Sequence, residues 1–78
     1  MLTQAFIIEN LSFALLEPEL NISSNSSNTP NWDSLGQLSI LATLSKITEK
    51  QSDLIAELPK AESLVDILSL LRKHQIVK

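Results

Sequence analysis

The residues of this chain best placed to do chemistry are Trp32-Asp33-Ser34-Leu35. A helical pattern of apolar residues follows them, and a long polar stretch precedes them. The pattern predicts a helix N-terminus at Ser34, with Asp33 as its N-cap. Backbone N–H groups at such a terminus lack intrahelical acceptors, and the helix dipole presents its positive end there. An anion is stabilised at this place, so the Ser34 hydroxyl is suited to carrying a phosphate ester.

Conventional catalysis finds little else to use. His74 is the only histidine, Gly36 the only glycine, and there is no cysteine. A Ser-His-Asp arrangement would need His74 beside Ser34. Its place in Arg72-Lys73-His74 reads better as a surface cation at the C-terminal dipole of the last helix. Asp33 cannot be the base for its neighbour, because adjacent residues diverge around a helix. No glycine-rich phosphate loop exists, and one histidine without cysteine makes no metal set. The chain is therefore not expected to be an enzyme, and any thiol its function needs must come from a cofactor.

The elements that must position Ser34 read as all-α, in four segments within a single domain spanning residues 1–78. A first helix is expected from about Thr3 to Leu16, with Ile8, Leu11 and Leu15 on one face and Ile7 and Ala14 flanking it. Pro18 ends it by pushing Glu17 out of helical geometry. From about Glu17 to Asn31 runs a long connection rich in Asn, Ser, Thr and Pro, either a flexible strap or a partner-facing loop. The second helix is expected from Ser34 to about Ile47. Leu35, Leu38, Leu41, Ala42 and Leu44 form its apolar stripe, extended by Ile40 and Ile47, with Gln37, Ser39, Thr43 and Lys46 on the polar side. A short third helix is expected over Asp53–Leu58, capped by Ser52 and stopped before Pro59. Ser63-Leu64-Val65-Asp66 resembles a capping box opening the last helix, where Leu64, Ile67, Leu68 and Leu71 recur to about His74. Trp32 reads as a core plug that fixes the geometry around Ser34.

Composition excludes several classes. Nine acidic and six basic residues give a net charge of −3, without the basic stripe of a nucleic-acid binder. Seventy-eight residues make one small domain, and without cysteine no disulfide supports it. No run is long enough to span a bilayer, and no signal peptide is expected, since Glu9 and Asn10 interrupt the apolar N-terminus. Asn10-Leu11-Ser12, Asn21-Ile22-Ser23 and Asn25-Ser26-Ser27 fit the glycosylation sequon and are read as coincidental in an Asn/Ser-rich chain. A cytoplasmic monomer is expected.

At Asp33-Ser34-Leu35 the chain resembles the acyl carrier proteins, the phosphopantetheine-binding family. The likeness covers nearly the whole length: a first helix, a long loop, Asp-Ser-Leu opening the second helix, a short third helix, and a last helix entered through Ser63-Leu64-Val65-Asp66-Ile67-Leu68. Trp32 before the motif and Gly36 after it are similar to a subset of stand-alone carriers. The resemblance implies a small four-helix bundle of acyl-carrier type. It implies that a phosphopantetheinyl transferase moves 4′-phosphopantetheine from coenzyme A onto Ser34 Oγ, flanked by Asp33 and Leu35. The arm's thiol would hold an acyl or aminoacyl group as a thioester. Leu35 would pack beneath the serine. Gly36, Leu38 and Ala42 would lie on the partner-docking side, and Ile40 and Leu44 would be core or acyl-pocket residues.

One departure bears on the partner. Fatty-acid-type carriers line the second helix with acids that pair with basic patches on their enzymes. Here those positions hold Gly36, Ser39, Ser45 and Lys46. The expectation is a specialised carrier serving a dedicated acyl-activating enzyme or acyltransferase. The alternative is an unmodified helical interaction module on the same fold.

Overall fold

The computed structural model describes residues 2–48 and 57–77. Among the described residues lie three α-helices, α1 (Gln4–Leu15), α2 (Ser34–Ile47) and α3 (Leu64–Lys73), with a short 3-10 helix at Leu58–Lys60. No strand occurs among the described residues; two isolated bridges join Leu2 to Val77 and Asn25 to Ser63. The all-α expectation holds for these residues. None of these helices is long and apolar enough to cross a membrane. The short helix expected over Asp53–Leu58, with its Ser52 cap, lies outside the described residues up to Glu57. Pro59, expected as a stop, sits inside the 3-10 turn.

Each α-helix begins where a short polar side chain can take a first-turn N–H. Thr3 Oγ1 accepts from Phe6 N at 3.1 Å, Asp33 Oδ1 from Gly36 N at 2.8 Å, and Ser63 Oγ from Asp66 N at 3.1 Å. The box at α3 is shifted: Asp66 Oδ2 accepts from Glu62 N at 3.4 Å, one residue upstream of the cap.

Two helices end in Schellman geometry without glycine. At α1, Glu17 N donates to Ser12 O and Leu16 N to Phe13 O, with Leu16 left-handed at φ 55°. At α3, Ile76 N donates to Leu71 O and Gln75 N to Arg72 O, with Gln75 at φ 60°. The left-handed conformation costs a side chain about 1–2 kcal/mol that glycine escapes. At α3 the exit returns something: Ile76 is buried, and its carbonyl accepts from Leu2 N at 2.8 Å. At α1 the strained leucine is 79% exposed.

The core is almost wholly aliphatic. Ile7, Leu11 and Leu15 of α1 meet Ile40 and Leu44 of α2, Leu64, Ile67, Leu68 and Leu71 of α3, and Leu58, with Leu20 and Trp32 entering from the loop. The inward face of α1 is thus rotated by one residue from the expected stripe: Ile7 is buried and Ile8 half-buried. The broad stripe of α2 splits, so that Gly36, Ile40 and Leu44 face inward while Leu35, Leu38 and Ala42 face solvent.

The long loop is held by its own side chains. Asn21 Oδ1 accepts from Ser23 N, and Asn25 Oδ1 from Ser27 N and Asn28 N. Asn28 Oδ1 returns to Asn25 N. Backbone bonds then fasten it to the entry of α3, Ser26 N to Glu62 O at 2.8 Å and Leu64 N to Ser24 O at 3.0 Å. The loop is thus joined to the fold by backbone bonds as well as held by its own side chains.

His74 ends α3, as the sequence suggested, but it does not stand clear in solvent. It is half-buried, with Nε2 3.1 Å from Glu57 Oε1, while Lys73 Nζ lies 3.0 Å from Glu57 Oε2. Hydrogen bonds from Lys73 and then His74 hold the Glu57 carboxyl below its ordinary value of 4.5. A carboxyl depressed in the folded state adds stability above its unfolded pKa and loses it as pH falls through the folded one. We expect Glu57→Gln to lower the urea midpoint slightly at neutral pH, the carboxylate being more than a third exposed, with the difference closing below pH 4.5. Urea titrations of both proteins across that range measure it; a gap that widens in acid would contradict the ion-pair account.

Gly36 is fixed by close approach, not by φ. A Cβ built there collides with the Asn31 carbonyl oxygen and comes within 3.0 Å of Leu15 Cδ2. Gly36→Ala is expected to destabilise by about 1–3 kcal/mol, as overpacking does. Thermal melts of the two proteins check it.

Candidate functional site

Ser34 is the first residue of α2 and is exposed. Its place follows from three neighbours. Thr29 O accepts from Trp32 N at 2.9 Å, turning the chain so that the indole is buried at 3% exposure. Asp33 caps Gly36, and the Asp33 carbonyl accepts from Gln37 N at 2.8 Å, the first bond of the helix. The N–H groups of Ser34 and Leu35 precede the first intrahelical donor, Gln37, so they are the anion-facing donors of this end.

Gln37 ties the corner together. Its Oε1 accepts from Trp32 Nε1 at 2.7 Å, and its Nε2 donates to Leu58 O at 3.3 Å and Ala61 O at 3.2 Å. One amide thereby joins the loop, α2 and the 3-10 helix. Sequence reasoning placed Gln37 on the polar side of α2 and missed this. The available signal was a tryptophan at i−5 whose buried N–H would need an acceptor.

Beside Ser34 opens a cleft of about 290 Å³, lined also by Ser26, Trp32, Asp33, Gln37, Pro59, Ala61 and Glu62. It contains two carboxylates and no cation or histidine among these residues. The Asp33 carboxylate is engaged with the Gly36 N–H, and His74 pairs with Glu57 at the end of α3. No general base is therefore assembled on the Ser34 hydroxyl from the cleft's lining. What the arrangement offers is an outward-facing alcohol at a helix start, open to modification from outside. It fits a phosphodiester through the first-turn N–H groups and the open flank. Asp33 and Glu62 work against an anion on the cleft side, so the ester would face away from them.

The remaining expected site residues divide. Leu38 and Ala42 are exposed on one face with Leu35. Leu35 does not pack beneath the serine; it is 73% exposed, because Gly36 takes the inward direction one residue on. Gly36, expected on the docking side, is buried against Asn31 and Leu15 and presents no surface. Ile40 and Leu44 are fully buried in the core. Among the described residues no group of three His, Asp or Glu could hold a metal ion.

The Gln37 hub is expected to outweigh the cap. Gln37→Ala strands the buried indole N–H and should cost about 1–3 kcal/mol, against about 1 kcal/mol for Asp33→Ala. Denaturant titrations followed by Trp32 fluorescence give both values, and the reverse order would contradict the hub.

No family model matches the chain, and no curated protein or solved structure is similar enough to count as a match.

Proposed function

We propose that this chain is an acyl or aminoacyl carrier protein, folded as a small four-helix bundle of that family's type. It would hold its cargo as a thioester on 4′-phosphopantetheine attached to Ser34, in a specialised pathway. The observation that carries the reading is the exposed Ser34 hydroxyl at the first position of α2, beside a capping Asp33. The Asp-Ser-Leu motif and the order of elements around it support it as well.

The chain's own contribution is placement. The Trp32–Gln37–Asp33 corner holds the Ser34 Oγ outward at a helix start. A phosphopantetheinyl transferase would form the Ser34 Oγ–phosphorus bond and break the phosphoanhydride of coenzyme A. Adenosine 3′,5′-bisphosphate leaves, and the hydroxyl proton goes to a base on the transferase. The cofactor supplies the thiol that the cysteine-free sequence lacks. Leu35, Leu38 and Ala42 form an exposed apolar strip next to the attachment point. Acyl-activating or acyltransferase enzymes would dock there through apolar contact, since α2 carries no acid.

Incubation with coenzyme A and a broad-specificity phosphopantetheinyl transferase, followed by intact mass, tests the reading. A single phosphopantetheine adduct is expected on the parent and none on Ser34→Ala, which should keep its fold because the Asp33 cap survives. An unchanged parent mass across several transferases overturns the proposal and leaves an unmodified interaction module on this fold.

A further inference from the structure

Among the described residues, the outer side of α1 carries exposed apolar side chains, Phe6 and Phe13, with Pro18 and Leu20 of the loop beside it. The helix QAFIIENLSFAL carries apolar residues nearly all round. A helix of that composition is ordinarily covered on more than one side. Here Ile7, Leu11 and Leu15 fill the core, and a second row is left outside. Ile8, itself packed against the core, and Phe13 and Leu16 form with Pro18 and Leu20 of the loop a groove of about 690 Å³, with Glu9 also in its lining. Phe13 is 76% exposed and Leu16 79%.

Leu16 supplies a second observation. It holds the left-handed position that ends α1, where glycine would be free of strain, and its side chain projects into water. Its backbone is held by the bonds that close α1 and by Asn31 Nδ2 on its carbonyl at 3.4 Å, whereas its side chain gains little cover from the fold and adds apolar surface to the groove.

Charge identifies the occupant. Residues 1–45 contain no lysine, arginine or histidine. Glu9 borders the groove, and Glu17 and Glu19 line the adjoining cleft that shares Leu20. The cation of α3 nearest this helix in the hydrogen-bond network, Arg72, bonds Gln4 at the opposite end of α1. An acid-rimmed apolar groove repels anionic lipid headgroups and nucleic acid. A second copy would bring the same acids to the contact. The 12 residues of α1 give a track of about 18 Å, the length of a three- to four-turn helix.

We propose that the outer face of α1 docks a basic amphipathic helix of a partner protein, its apolar anchors between Phe13 and Leu16 and its cations against Glu9, Glu17 and Glu19. This surface is separate from Ser34 and does not depend on its modification.

The probe is a synthetic amphipathic peptide of about four turns, leucine on one face and lysine on both flanks, added to the full-length chain. A matched peptide with glutamate in place of lysine is the control. Saturable binding is expected, with amide shift changes confined to residues 5–20, weakened by salt and at least tenfold by Phe13→Ser. Leu16→Gly should raise the melting temperature while weakening the peptide, opposite signs that a structural role would not produce. Equal binding of the glutamate peptide, shifts centred elsewhere, or no binding overturns the proposal. Two further outcomes overturn it by naming another occupant. One is a concentration-dependent dimer abolished by Phe13→Ser. The other is binding to neutral phosphatidylcholine vesicles in place of the lysine peptide.

Discussion

The hydrogen bond from the buried Trp32 indole to the Gln37 amide is the constraint on which the site depends. An indole N–H taken from water must find an acceptor, and an amide that gives its oxygen has two N–H donors left to satisfy. Gln37 spends them on the carbonyls of Leu58 and Ala61. Three segments are thereby locked at one corner: the end of the loop, the first turn of α2 beside it, and the 3-10 helix 21 residues further on. Ser34 lies within that corner, so its outward direction is a property of tertiary packing as much as of its helix position.

Close approach reinforces the lock. Gly36 lets the first turn of α2 rest on the Asn31 carbonyl and on Leu15. The helix start is gripped from below by α1 and from the side by the amide hub. The directions taken by Asp33, Ser34, Leu35 and Leu38 remain open to water. A site of this form presents a hydroxyl beside a capped helix start, with the Asp33 carboxylate taken by the Gly36 N–H and His74 by Glu57.

The ends of the helices were legible in the sequence. Asp33 and Ser63 cap locally, within three residues, and so does Thr3, which the spacing alone places inside the helix; α1 closes on a left-handed Leu16, two residues before Pro18. Such effects need no knowledge of the rest of the fold. The faces were less legible. Ile7 and Ile8 are equally apolar, and the choice between them is set by where α2 and α3 lie. Leu35 and Gly36 exchange their expected roles for the same reason: composition favours leucine inside, but only glycine fits beneath the Asn31 carbonyl. Gln37 and His74 were misread as surface residues because their partners, Leu58, Ala61 and Glu57, lie 16 or more residues away. The loop was readable as a composition and not as a structure. Its Asx turns are local, yet its attachment to Glu62 and Leu64 is not.

The two ends of α1 and α3 show what a strained exit is for. Both close on a left-handed residue that is not glycine. After Gln75 the chain turns back to bury Ile76 and to pair with Leu2, so the strain is offset by core contacts. After Leu16 the chain turns back too, and Leu20 reaches the core, but Leu16 itself gains no cover. A small aliphatic core cannot spare strain without return. Around Leu16 the return is in the backbone, through Leu16 N to Phe13 O, Glu17 N to Ser12 O and Asn31 Nδ2 to the Leu16 carbonyl, while its side chain stands exposed on the face it shares with Phe13. That face and the Ser34 corner lie on different elements. One chain thus offers two independent surfaces, one apolar with an acidic rim and the other a bare alcohol beside an uncharged leucine strip.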